Sequence, residues 1–113
     1  MPTVEELYST AEKLKDAGDY QGAIDALNQL LGEESTHVLT HLTLAVLYGK
    51  VGQPLKAVEH AERSIQLDPN DPFNFTAASV TYQRAYATTR DMRYVQLAEE
   101  AKARASMLAG HHH

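Results

Sequence analysis

The chain is expected to be all-α, built from antiparallel helix hairpins stacked side by side. Three observations carry this expectation. Apolar residues recur at helical spacing through most of the 113 residues. Capping residues and Gly or Pro break that spacing at short intervals. And several residues of the first part recur in kind 34 positions later, the period of a helical-hairpin repeat.

Thr3 opens the first helix with Glu6 three residues on, a capping-box pattern that satisfies two orphan N–H groups. Val4, Leu7, Ala11 and Leu14 follow on one face, and Gly18 supplies a left-handed residue at the C-terminus. Asp19 is placed to cap a second helix. Its buried stripe is Ala23, Ile24, Leu27, Leu30 and Leu31, and Gly32 is expected to end it. Two helices joined by so short a turn lie antiparallel.

Thr36 to Asp71 is the stretch the rest is organised around. Its first helix is apolar almost all round, through Val38, Leu39, Leu42, Leu44, Ala45, Val46, Leu47, Tyr48 and Val51. A helix without a polar stripe is packed on more than one side, so this hairpin is expected between two similar neighbours. Gly52-Gln53-Pro54 makes the turn, Leu55 to Leu67 the returning helix, and Asp68 to Pro72 the next turn.

Asp71 capping, with Pro72 in first position, starts a fifth helix. Phe75, Ala78, Ser79 and Tyr82 fall one full period after His41, Leu44, Ala45 and Tyr48. Further on the offset lengthens, and Ala98 to Leu108 matches Ala57 to Leu67 only if seven residues are inserted between Tyr82 and Ala98. Seven residues make two helical turns and leave the buried face in phase. Helix is therefore expected at 83–87 and 94–97, with a turn at Thr88 to Arg90 and a sixth helix from near Asp91. The alternative is a loop rimming the inner face.

When the first two hairpins are laid over one another at this period, five pairs coincide: Ala11 and Ala45, Leu14 and Tyr48, Gly18 and Gly52, Ala23 and Ala57, and Leu27 and Ala61. The pattern resembles the tetratricopeptide repeat (TPR) family. The second repeat supplies His41, Leu44, Ala45, Tyr48, Gly52, Ala57, Ala61, Ser64 and Pro69 at that family's positions. The first supplies Leu7, Thr10, Ala11, Leu14, Gly18, Ala23, Leu27, Leu30 and Ser35. His41 stands for the usual Trp, and Leu30 and Ser64 for the second Ala. The resemblance implies one domain over residues 1–109, with repeats of about 4–37, 38–71 and 72–108, wound as a short right-handed solenoid. It also implies a non-enzymatic protein-interaction module. Gly110 to His113 reads as the remnant of a purification tag.

Composition narrows the function further. A net charge of −5 disfavours nucleic acid, whose affinity rests on Lys and Arg against phosphates. Residues 1–71 hold 5 basic and 12 acidic side chains and residues 72–113 hold 5 and 3, an acidic front and a mildly basic rear. No apolar run approaches the ~18 residues of a membrane span, and residues 1–15 lack a signal-peptide core. The chain has no Cys, which fits the reducing cytoplasm and removes thiolate chemistry. No phosphate loop, nucleophile elbow or His-Glu-x-x-His is present, and no cofactor is expected. His37 and His41, four apart, could chelate a metal with His60 as a third ligand. Packing is the better reading, since His41 occupies the large-residue position and two His alone make an incomplete site.

In stacked hairpins of this kind the first helix of each hairpin lines the concave face. The inward positions are Glu5, Tyr8, Ser9, Glu12 and Asp16; then Leu39, Leu42, Thr43, Val46 and Lys50; then Phe73, Thr76, Ala77, Val80 and Arg84. The expected partner-binding residues are Tyr8, Glu12, Leu39, Leu42, Val46, Lys50, Phe73, Val80 and Arg84. The apolar ones would anchor a protein or peptide partner. Lys50 and Arg84, at equivalent places in successive repeats, would orient its acidic groups. The alternative is a self-associating dimer, or a groove covered by the chain's own last helix. Some TPR proteins clamp the acidic tail of heat-shock chaperones with Lys, Asn and Arg. The matching positions here hold Tyr8, Glu12, Thr43, Phe73 and Ala77, so the resemblance does not extend to that activity.

Overall fold

The computed structural model describes residues 1–110; the histidines of the tag-like run lie outside the described residues. Six helices follow in order: α1 Val4–Asp16, α2 Tyr20–Glu33, α3 Val38–Lys50, α4 Pro54–Leu67, α5 Pro72–Thr89 and α6 Arg93–Gly110. Among the described residues there is no strand. Each pair α1–α2, α3–α4 and α5–α6 packs as a hairpin, α2 touches α3, and α4 and α3 both touch α5. Three hairpins are thus laid one on the next, with α3–α4 in the middle.

Local chemistry sets the boundaries. The Thr3 capping box closes at both bonds, Glu6 N–H donating to Thr3 Oγ1 at 3.1 Å and Thr3 N–H to Glu6 Oε1 at 3.2 Å. Asp19 accepts from Gly22 N–H at 2.9 Å, and Asp71 from Phe73 N–H at 2.9 Å. Gly18 and Gly52 turn their hairpins at φ +84° and +76°, a region that costs an L side chain about 1–2 kcal/mol. Gly32 does not act as a stop. It lies inside α2, outside the left-handed region. The helix is ended instead by Glu34 in an extended conformation (φ −141°, ψ 87°), and Asp68 repeats that shape (φ −142°, ψ 84°) after α4.

The last hairpin is the longest, with 18 residues in each helix against 13 and 14 in α3 and α4. Residues 83–87 and 94–97 are helical. The turn comes later than Thr88 to Arg90: α5 continues to Thr89, Arg90 takes the left-handed conformation at φ 60°, and α6 begins at Arg93. Asp91 still serves the start of α6, accepting from Arg93 N–H at 3.0 Å.

Two buried clusters hold the stack. Leu7, Ile24, Leu27, Leu30, Leu44, Leu47 and Tyr48 join the first hairpin to the second. Ala45, Val58, Ala61, Ala78, Tyr82, Ala85, Ala98 and Ala101 join the second to the third. The second cluster is built largely from alanine, so its helices must approach closely. Ala45 and Ala57 line one small void of about 20 Å³ beside Pro54 and Ala85. Asn74, 1% exposed, ties α5 to the end of α4 by donating from Nδ2 to the carbonyls of Asp68 at 3.0 Å and Ser64 at 3.3 Å.

Candidate functional site

On the face formed by α1, α3 and α5, large apolar side chains stay open. Leu39 is 51% exposed and Phe73 61%. Leu39, Leu42, Val46 and Phe73 line one hollow of about 210 Å³ with Thr43, Ala77 and Lys15. A second hollow, of about 280 Å³, lies between Val4, Glu5, Tyr8, Ser9, His37 and Leu39. Leu39 borders both, so the two form one trough across the helices. The chain's last helix does not cover it: α6 packs on α5, and Leu39, Val46 and Phe73 remain exposed.

The helix positions explain this. Leu39, Leu42 and Val46 recur at three and four residues on α3, the spacing of one helix face, while Leu44, Leu47 and Tyr48 occupy the faces turned into the core. Tyr8 crosses from α1 and donates its hydroxyl to Thr43 Oγ1 at 3.0 Å, Thr43 itself donating to the Leu39 carbonyl at 2.9 Å. Glu12 is half-buried at the same side and pairs with Lys15 at 3.2 Å.

Four of the expected binding residues line neither hollow; Glu12, paired with Lys15, is one of them. Val80 lines a crevice between α5 and α6 with Thr76, Gln83 and Lys102. Lys50 stands over the Tyr20 ring at 5.4 Å from its centroid. Arg84 borders the void beside Ala45 and Pro54. Both cations sit where α3 or α5 passes the start of the preceding hairpin's second helix, at equivalent places in successive repeats and beyond the trough. The cation that does line the trough is Lys15. In the sequence it reads only as a basic residue in the last turn of a helix.

The histidines do not converge on one point. His37 caps α3, its Nδ1 accepting from Thr40 N–H at 3.3 Å and from Thr40 Oγ1–H at 2.7 Å. His41 turns the other way. Its Nε2–H donates to the Ser35 carbonyl at 2.9 Å, so its Nδ1 is free to accept from His60 Nδ1–H, also at 2.9 Å. His60 stacks on Tyr48, centroids 5.5 Å apart and planes within 9°. Burial, then His41 and Lys56, pull the His60 pKa down to about 4. Among the described residues no group of three His, Asp or Glu could hold a metal ion, and no helix is long and apolar enough to cross a membrane.

No protein-family model matches the chain, and no curated protein sequence does. Solved structures do match in fold. The second TPR of Spaghetti (RPAP3), bound to the HSP90 peptide SRMEEVD, is 14% identical with a TM-score of 0.77, covering 94% of this chain and 92% of its own. Two structures of MamA are each 20% identical, with TM-scores of 0.71 and 0.70 over 93% of this chain. The chain spans 57% and 61% of those two MamA chains. The fold is thus that of TPR-like stacked helical hairpins.

Proposed function

We propose that the chain is a non-enzymatic protein-interaction module whose trough holds one segment of a partner protein, extended or helical, by its apolar side chains. The observation that carries this is the run of Leu39, Leu42, Val46 and Phe73, gathered on one face around a single hollow. Scattered exposed apolar residues are ordinary, whereas a contiguous set inside a hollow is the usual mark of an interaction site. The peptide held by the RPAP3 domain supports the reading by analogy of fold. That peptide is acidic, and the positions of its family's clamp here hold Tyr8, Glu12, Thr43, Phe73 and Ala77, so the segment recognised by this chain is a more apolar one. Tyr8 and Glu12 border its path, Lys15 faces one acidic group of the partner, and Lys50, Arg84 and Val80 act as flanking contacts. The 34-position recurrence, lengthening to 41 in the last helix, supports reading the hairpins as three repeats with seven residues added to the third. A cysteine-free chain of this kind suits the cytoplasm.

The test uses a partner segment mapped by cross-linking from the trough and resynthesised as a peptide. Phe73→Ala and Leu42→Ala should each weaken it by about 1–3 kcal/mol as buried anchors. Phe73→Ala should leave the melting temperature unchanged, because the ring is already exposed. Equal affinity in both variants would sink the proposal. A doubled mass in light scattering that collapses in Phe73→Ala would instead make a second copy the occupant.

A further inference from the structure

Tyr48 and Tyr82 occupy the same place in successive hairpins. Each phenol bonds to the residue twenty before it, on the second helix of the preceding hairpin. Asn28 Nδ2 donates to Tyr48 Oη at 3.1 Å, and Tyr82 Oη donates to Glu62 Oε2 at 2.7 Å. What fills the space beside the two rings differs. Next to Tyr48 the His60 imidazole lies flat on the ring and against His41, whose centroid is 5.2 Å away. One period on, the counterpart of His41 is Phe75; at the longer offset of the last helix, the counterpart of His60 is Ala101. A methyl group stands where the imidazole would be. Between Phe75, Tyr82, Ile65, Leu97 and Ala101 a hollow of about 310 Å³ is left, lined also by Glu100 and Arg104. Tyr94 stacks on Tyr82 at 6.2 Å without lining that hollow.

We infer that this hollow is a second binding site, a receptor for one flat aromatic side chain of the histidine or tryptophan class carried by another polypeptide. The chain itself supplies the template: in the middle hairpin the same frame is filled by a side-chain ring from a helix. The walls are right for it, since aromatic pairs in offset or tilted arrangements gain beyond their area burial. Glu100 adds an acceptor for a ring N–H, a donor that imidazole and indole share and a phenylalanine ring lacks. The site is separate from the trough. Phe73 and Phe75 are two residues apart on α5, about 200° around the helix, and they face different surfaces.

The test is a titration of isotope-labelled protein with N-acetyl-tryptophanamide and N-acetyl-histidinamide, followed by NMR. Resonances of Phe75, Tyr82 and Ala101 are expected to shift, and those of Leu42 and Phe73 to stay. Ala101→His should refill the hollow from within, so binding should weaken by about tenfold, the scale of one aromatic contact, with the melting temperature held or raised. Should that variant not fold, Ala101→Leu fills the same space and is read in the same way. Shifts confined to the trough, or binding that survives either filled variant, would overturn the inference. Shifts with free imidazole and indole but with neither amide would place a small molecule there and overturn the polypeptide source.

Discussion

His41 and His60 meet Nδ1 to Nδ1 at 2.9 Å, sharing a single proton between α3 and α4. Because His41 Nε2–H is committed to the Ser35 carbonyl, the proton between the rings belongs to His60 when both are neutral. A proton added to His60 goes to its Nε2 and makes a half-buried ring a cation, which burial disfavours. Lys56 on α4 adds a positive charge to the same neighbourhood, standing 5.5 Å over the Tyr48 ring.

Acid should therefore loosen this joint. The folded His60 ring titrates at about 4 against 6.5 for an ordinary imidazole. Between those values the unfolded chain binds the proton and the folded chain does not, so falling pH favours unfolding. The contribution is complete above pH 6.5 and lost by about pH 4. For a half-buried ring screened by solvent it is about 1–2 kcal/mol. Denaturant midpoints measured from neutral pH down to that range should fall less in His60→Phe than in the parent; equal slopes would mean the ring is not the sensor.

The glycines separate backbone requirement from packing. Beyond the adjacent residues and the helix's own backbone, no atom lies within 4 Å of a Cβ built on Gly18, Gly52 or Gly32. Gly18→Ala and Gly52→Ala should each cost about 1 kcal/mol, because their left-handed φ is strained for any L side chain. Gly32→Ala should stabilise by about 0.5 kcal/mol, since it sits in ordinary helix. Thermal melts of the three variants decide it by sign.

Ala45→Leu should destabilise by about 1–3 kcal/mol through overpacking. Three added carbons exceed the void of about 20 Å³ between Ala45 and Ala57. A variant that melts with the parent would show that the hairpin opens to admit it.

Asn74→Ala should cost about 1–3 kcal/mol, because the carbonyls of Ser64 and Asp68 lose their buried donor. Hydrogen exchange at the end of α4 should quicken more than at the start of α3. Uniform acceleration across the chain would deny Asn74 its role as a local tie.

Helices are legible in the sequence because local chemistry decides them. Thr3, Asp19 and Asp71 cap as their residue types require, and the repeat period carries α1 and α2 onto α3 and α4. The trough is legible to the extent that helix faces are: Leu39, Leu42, Val46 and Phe73 share a hollow. Recurrence puts Lys50 and Arg84 at one position of the repeat. It does not say where long flexible side chains end, and Lys50 ends on Tyr20. Val80 departs from the trough because α6 stands beside one flank of α5, so that part of its inner face belongs to a crevice. The pairing of His60 with His41 is not legible, because they lie 19 apart on facing helices, a contact no single-helix spacing encodes.

The neighbour-to-neighbour packing of these helices has a kinetic consequence. Each helix rests chiefly on the one before and after it, and α3 against α5 is the substantial contact that skips an element. With few distant segments to bring together, little loop entropy must be overcome before contacts form, and chains of this kind fold toward the microsecond-to-millisecond end of the scale. Stacked units can also nucleate at any one of them and spread outward. The α5–α6 hairpin has the most extensive contact of any pair, and Asn74 joins it to the end of α4.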